Sequence, residues 1–102
     1  MEQLDEVIAE NLSNESFSIS DLEEALQLSS SQIFRKIKQH TGISPSSYIR
    51  TLRLEQAHEM ITVSDITLSE LAYQVGFSSL SYFSKCFSEH FGYAPSSLRA
   101  SL

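Results

Sequence analysis

The chain has 102 residues, 41% of them apolar, with ten aromatics, one cysteine, three glycines, two prolines and a net charge of −6. That length supports one folded domain, or two very small lobes that share a core. A lone Cys86 excludes a disulfide framework and a cysteine zinc site, and apolar runs of at most three residues exclude a membrane span or signal peptide, so a reduced, cytoplasmic protein is expected.

No stretch alternates like a strand, and so few Gly and Pro leave few loops, so the expected class is all-α with about seven helices. Leu4, Val7, Ile8 and Leu12 recur at i, i+3, i+4 and i+8 and give an amphipathic helix with an acidic outer face. Its expected role is to pack against the segment that follows. A second helix is expected from Asp21 to Gln27, with Ser20 as a possible cap, and a third from Ser30 to Thr41 after the N-cap type Ser29. A fourth runs from Pro45 to Thr62 with Ser44 able to cap it. The fifth spans Leu68 to Val75. The sixth runs from Ser79 to Phe91 after the cap type Ser78, and the seventh from Pro95 to Arg99, where Ala94 cannot cap.

The helix ends are written twice. HTGISPSS (His40 to Ser47) and HFGYAPSS (His90 to Ser97) share five of eight letters fifty residues apart. Gly42 and Gly92 read as helix stops, because glycine takes the left-handed conformation without a Cβ clash. Pro45 and Pro95 read as helix starts, where the missing N–H is not needed. The echo continues upstream. Leu22, Leu26 and Leu28 match Leu71, Val75 and Phe77 at a spacing of forty-nine, and Ile33 and Ile37 match Phe83 and Phe87 at fifty. Each copy is a short helix, a break and a longer amphipathic helix, which is a helix-turn-helix pattern. The expected organisation is a first lobe over residues 1–43, a linker helix over 44–63 and a second lobe over 64–102.

The linker helix spreads Tyr48, Ile49, Leu52, Leu54, Ala57, Met60 and Ile61 over roughly two-thirds of its circumference at 100° per residue, as a helix with partners on two sides would. Its eighteen residues reach about 27 Å, against about 34 Å for one turn of DNA. Two helices held that far apart could enter neighbouring major grooves, with some bending of the duplex.

Net charge argues against a nucleic-acid partner until it is divided along the chain. Residues 1–24 hold eight acids and no Lys or Arg; residues 25–102 hold seven bases and five acids, a balance of +2. Arg35, Lys36 and Lys38 cluster in the third helix, followed by Arg50 and Arg53, whereas the sixth helix has only Lys85. Weak non-specific affinity that fades with salt is expected.

The second copy, with A-x-x-V-G-F from Ala72, S-Y-F-S-K-x-F from Ser81 and F-G-x-x-P-S from Phe91, resembles the DNA-binding domain of the AraC/XylS family of bacterial transcription regulators. The resemblance covers about Ser18 to Arg99. The first copy is similar to the version at the C-terminus of hybrid two-component sensor-regulators. Three departures stand out: Gln27 where the second copy has Gly76, Glu23 where it has Ala72, and Leu80 where the family often has Pro. A turn needing φ > 0 would be strained at Gln27, so a somewhat different first turn is expected, and Glu23 is expected to tilt to solvent.

The resemblance implies sequence-specific duplex binding for transcription control, with the third and sixth helices as recognition helices. Candidate base contacts are then Ser30, Ser31, Gln32, Phe34 and Arg35, and Ser79, Leu80, Ser81, Ser84 and Lys85. Arg35 leads, since its fork matches guanine O6 and N7. Gln32 suits adenine or a phosphate. Leu80 suits a thymine methyl or helix-entry packing. Lys36 and Lys38 suit phosphates or bulk water, and Ser46, Ser47, Ser96 and Ser97 flank helix N-termini whose amides can hold a phosphate. Ile33, Ile37, Phe83 and Phe87 are core by periodicity, and Arg53 is expected to pair with an acid inside the fold.

His40, His58 and His90 show no metal spacing, Cys86 reads as a packing residue, and the chain lacks a nucleophile elbow, so no enzyme activity, metal or cofactor is expected. The expected partners are double-stranded DNA, an upstream sensory or regulatory domain in the parent chain, and RNA polymerase. No membrane contact is expected, and the isolated domain is expected to be monomeric. The competing reading is a helical protein-interaction module that uses the acidic first helix; it predicts no protected DNA site and no effect of Arg35→Ala or Lys85→Ala.

Overall fold

A computed structural model describes residues 2–14 and 16–102, with the side chain of Glu2 left aside. Two of the acids counted above, Glu2 and Glu15, therefore lie outside the described side chains. Seven helices follow one another: α1 (Glu2–Asn11), α2 (Ile19–Leu26), α3 (Ser30–Thr41), α4 (Pro45–Val63), α5 (Leu68–Gln74), α6 (Leu80–Phe91) and α7 (Pro95–Ala100). No strand occurs among the described residues, and none of their helices is long and apolar enough to cross a membrane. The all-α class with two helix-turn-helix units on a central helix is as the sequence implies.

Local chemistry sets the helix ends. α3 starts at Ser29, whose Oγ accepts from Gln32 N–H while Gln32 Oε1 accepts from Ser29 N–H at 2.9 Å, a reciprocal capping box. α4 starts at Ser44 with Pro45 in its first turn, and α7 starts at Ala94, whose methyl makes no capping bond. Two expected caps move. α2 is capped by Ser18 in a box with Asp21, so Ser20 lies inside the helix. α6 is capped by Ser79, which accepts from Tyr82 N–H at 3.1 Å, in place of Ser78. The Ser79 hydroxyl takes the N–H three residues on, whereas at Ser18 the Asp21 carboxylate accepts from the Ser18 N–H at 2.8 Å. Gly42 and Gly92 end α3 and α6 at φ 78 and 84.

Two separate apolar cores form. Leu4, Ile8, Leu12, Phe17, Leu22, Ile33, Ile37 and Ile49 make the first. Leu54, Ala57, Ile61, Leu71, Ala72, Val75, Phe77, Phe83, Cys86 and Phe87 make the second. α1 packs on the first core as its periodicity requires. α4 serves both: Tyr48, Ile49 and Leu52 face the first, and Leu54, Ala57, Met60 and Ile61 the second. The result is an elongated body of 43 × 23 × 22 Å with one helix as its spine.

The two helix-turn-helix corners are closed by the same backbone hydrogen bond. Leu28 N–H donates to Glu23 C=O at 3.3 Å, and forty-nine residues later Phe77 N–H donates to Ala72 C=O at 2.9 Å. Gly76 sits at φ 95 and Gln27 at φ 55. The first corner keeps the closing bond but turns somewhat differently, as expected: Gln27 N–H bonds Glu23 C=O, four residues back, where Gly76 N–H bonds Tyr73 C=O, three back. The Gln27 side chain is exposed and the turn tolerates its left-handed φ. Glu23 is half-buried at a position where Ala72 is fully buried, so it leans out only partway.

Candidate nucleic-acid interface

α3 divides cleanly. Ile33 and Ile37 are fully buried, while Ser30, Ser31, Phe34, Arg35 and Lys38 are exposed on the other side. These five line an open groove of about 720 Å³ that also includes Ser44, Pro45 and Ser46 from the start of α4. Four of the five expected base-reading residues of α3 thus share one concavity with a helix N-terminus and two cations. Lys38 belongs to this face one turn beyond Arg35 and two beyond Ser31, whereas Lys36 is exposed but outside the groove. Phe34, half exposed, is the large apolar side chain of the same groove.

Gln32 does not join them. Its Oε1 is engaged in the capping box, which leaves the amide N–H₂ but removes the acceptor that bidentate adenine recognition needs. The position three residues after an N-cap explains this: the box competes with the groove for the same side chain.

α6 presents the equivalent surface with less charge. Leu80 (38% exposed), Ser81 and Lys85 are exposed, and Ser84 and the capping Ser79 are half-buried. Phe83, Cys86 and Phe87 are buried, so Cys86 is a packing residue as expected. Glu89 stands one turn after Lys85 where α3 has Gln39, which lowers the charge of this face further.

At the start of α4, Ser44 Oγ donates to Ser47 Oγ at 3.0 Å and Ser46 Oγ lies 3.5 Å from Ser44 Oγ. Ser47 is half-buried, and Ser46 is exposed at the groove beside Ser44 and Pro45. Ser96 and Ser97 are exposed on the short α7.

Sequence reasoning overlooked the ground between the lobes. Ser46, Arg50, Arg53, Gly76, Phe77, Ser78 and Tyr82 line a second cavity of about 240 Å³. Arg50 and Tyr82 are exposed there, and Ser46 lines both this cavity and the groove of α3. The usable signal was Arg50 itself, a cation that interrupts the apolar arc of α4. Tyr82 gave none, since it sits among core aromatics. Arg53 points inward: its Nε donates to Leu12 C=O at 3.2 Å and its Nη2 to Asn14 C=O at 2.8 Å.

The opposite side of α4 is acidic. Asp5, Glu55 and Glu59 rim a groove floored by Ala9, Leu12, Tyr48 and Leu52, about 140° around α4 from Ser46, Arg50 and Arg53 at 100° per residue. Tyr48 O–H donates to Asp5 Oδ1 at 2.6 Å. Burial, then this bond, pushes the Tyr48 phenol up to about 12. The histidines are structural: His40 Nδ1 lies 2.8 Å from Lys36 C=O, His58 packs on Phe87 and Phe91, and His90 lies edge-on to Phe91. No group of His, Cys, Asp and Glu among the described residues is arranged to hold a metal ion.

The family described as a helix-turn-helix domain matches residues 22–101. Histidine kinase P4 of Formosa agariphila is 37% identical over 90 residues, which are 88% of this chain and 7% of that protein. The HTH-type transcriptional activator RhaS of Salmonella arizonae is 37% identical over 76 residues, 74% of this chain and 27% of the activator. The chain therefore spans only a small part of the curated relatives it matches. Among solved structures, the DNA-binding domain of the global transcriptional factor AdpA in complex with a target DNA superposes with a TM-score of 0.85 at 29% identity, covering 96% of this chain and 90% of that one.

Proposed function

The chain belongs to the AraC/XylS family of helix-turn-helix DNA-binding domains, and from that premise we propose that it binds duplex DNA sequence-specifically to regulate transcription, with α3 and α6 in adjacent major grooves. The observation that carries the reading is the exposed face of α3. It sets Ser30, Ser31, Phe34, Arg35 and Lys38 in one groove with the N-terminus of α4, on a corner that recurs forty-nine residues later. The solved relative bound to its target DNA supports the same use of the fold.

Arg35 reads guanine, Phe34 packs on bases, and Ser30 and Ser31 supply hydroxyls. In the second lobe Ser79, Leu80, Ser81, Ser84 and Lys85 take the equivalent places. Lys36, Lys38, Ser46, Ser47, Ser96 and Ser97 meet phosphates, joined by Arg50, and Gln32 contributes only a donor. Residues 1–43 and 64–102 act as the two reading lobes and 44–63 as their spine. No step of this function is catalytic.

The domain works in the cytoplasm, as a monomer when isolated, attached to a sensory or regulatory domain in a longer chain and addressing RNA polymerase. The small share of the kinase and activator relatives that it spans supports the attachment. The acidic groove of Asp5, Glu55 and Glu59, on the far side of α4, supports a basic protein partner that can be engaged while DNA is held.

The test is selection from a randomised duplex library at low salt and at about 150 mM, where exposed charges are screened beyond about 8 Å, with Arg35→Ala and Lys85→Ala alongside. Two short enriched boxes about one helical turn apart, each relaxed by one substitution, support the reading. No enrichment at either salt from a folded protein sinks it in favour of the interaction module.

A further inference from the structure

The two cores do not merge, yet DNA recognition on the reading above needs the two recognition helices at a fixed separation and phase. α4 alone is a single rod, so what sets the second lobe's seating on it must be sought at contacts that cross between lobes. One such place stands out. Arg53 leaves α4 between Ile49 of the first core and Leu54 of the second, and donates to the carbonyls of Leu12 and Asn14 at the end of α1. The Leu12 side chain is anchored in the first core, so its carbonyl is a fixed point of the first lobe. Directly against it lies Gly76, the corner of the second helix-turn-helix. A Cβ on Gly76 would stand 2.1 Å from Leu12 O and 2.7 Å from Arg53 Nε. Backbone of one lobe thus touches backbone of the other with no room for a methyl group.

The first corner is the internal control. Gln27 makes the same left-handed turn with a full, exposed side chain, because nothing from the other lobe approaches it. Gly76 therefore answers two demands, a positive φ and a close approach, and only the first is shared with Gln27.

We propose that the Leu12–Arg53–Gly76 contact is the positioning element that fixes the distance and phase between α3 and α6, and thereby the spacing of DNA boxes that the protein accepts. The planar guanidinium suits this place, since one rigid group spans two carbonyls that a lysine ammonium would meet one at a time. Arg53 and Gly76 touch no base; they act through the placement of Arg35 and Lys85. This inference rests on the DNA-binding reading, but its geometric half can be tested without DNA.

Arg53→Met and Arg53→Lys are made alongside Gly76→Ala, and circular dichroism melts identify the folded variants; Arg53→Met carries the test where Gly76→Ala does not fold. In a Cys86→Ala background, spin labels at Gln39→Cys on α3 and Glu89→Cys on α6 report the distance between recognition helices by pulsed dipolar spectroscopy. The expected result is one narrow distance for Arg53 and a broadened or shifted distribution for Arg53→Met, with Arg53→Lys between them. The second readout uses duplexes whose two selected boxes are moved apart one base pair at a time. The unaltered protein is expected to lose about tenfold in affinity for each added base pair, the cost of deforming the duplex or losing a lobe. Arg53→Met is expected to flatten that profile to about twofold while its affinity for the α3 box alone is unchanged. An Arg53→Met protein with the same distance distribution and the same spacing profile as the parent overturns the proposal. If the parent binds no duplex, the DNA reading fails, and the distance measurement alone upholds or overturns the contact.

Discussion

The two lobes share a backbone plan and divide their labour differently. The first core is mainly aliphatic, built on Ile8, Leu22, Ile33 and Ile37, with Phe17 buried in it and Tyr48 packed at its edge. The second is a chain of rings: Phe77 to Phe83 at 5.3 Å, Phe83 to Phe87 at 5.6 Å, Phe87 to Phe91 at 4.6 Å, with His58 and Tyr93 at its edge. Charge runs the other way. α3 carries Arg35, Lys36 and Lys38, and α6 only Lys85. A duplicated corner therefore fixes where side chains go without fixing what they do. The exposed face of α3 concentrates cations, and the second core concentrates rings.

Core truncation should separate the lobes most sharply. Phe87→Ala removes a fully buried ring with three aromatic neighbours and is expected to cost about 3–5 kcal/mol, whereas Ile37→Ala in the first core costs about 2–5. Urea melts give the totals. Amide exchange assigns them: because the cores are separate, Ile37→Ala should speed exchange in α1–α3 and leave α5 and α6 protected, and the reverse for Phe87→Ala. Equal acceleration in both lobes from either change would mean that the cores open as one.

Binding should reverse that ranking. Arg35→Ala is expected to lose about 1–3 kcal/mol on a selected site and to relax one position of it, as loss of a bidentate guanine contact does. Lys85→Ala removes a base-facing cation that lacks the guanidinium fork, and should cost about 1 kcal/mol, relax one position of the second box and make the salt slope shallower by about one. Titrations at three salt concentrations measure both. A larger loss from Lys85→Ala than from Arg35→Ala would move the reading role to the second lobe.

The corners give a smaller and cleaner contrast. Gln27→Gly relieves a left-handed residue at an exposed turn, and the added freedom of the unfolded chain offsets part of the gain. A net stabilisation of roughly 0.5–1 kcal/mol is expected, visible as a rise in melting temperature. A fall in melting temperature would mean that the Gln27 side chain contributes more than its φ costs.

Much of this was legible in the letters, for physical reasons. Gly, Pro and Ser have narrow backbone roles, so α3 comes out from Ser30 to Thr41 as expected and α4 from Pro45 with Val63 one residue past its expected end. The broad apolar arc of α4 foretold a helix serving two cores. Caps were less legible because neighbouring serines are chemically equal: Ser79 wins over Ser78 because its hydroxyl reaches the Tyr82 N–H, and Ser18 over Ser20 because its own N–H meets the Asp21 carboxylate. The state of Gln32 was ambiguous for the same reason, since capping and base reading use one acceptor. Contacts between lobes were not legible at all. Arg53 meeting the Leu12 and Asn14 carbonyls, and Gly76 meeting Leu12, join residues far apart in sequence through backbone atoms that every residue possesses.

The last contrast sits where the two octets diverge. Tyr48 and Leu98 follow the paired serines in equivalent places; Leu98 packs on the second core, while Tyr48 packs on the first and donates to Asp5 at 2.6 Å. The first lobe thereby ties its α1 to the spine with a titratable bond. The Tyr48 phenol is raised from 10.0 to about 12, by burial first and the Asp5 bond second. A group whose folded pKa lies above its unfolded one stabilises fully below the unfolded value and loses that contribution as pH rises through the folded one. The window is thus pH 10 to about 12. Tyr48→Phe should lower stability at neutral pH by about 1 kcal/mol, one net hydrogen bond to a partly exposed group, and should fall less steeply than the parent above pH 10. Guanidinium melts at pH 7 and pH 10.5 measure the two slopes. Parallel slopes would mean that Asp5 and Tyr48 are neighbours without a stabilising bond, and that the first lobe holds α1 by its apolar stripe of Leu4, Ile8 and Leu12 alone.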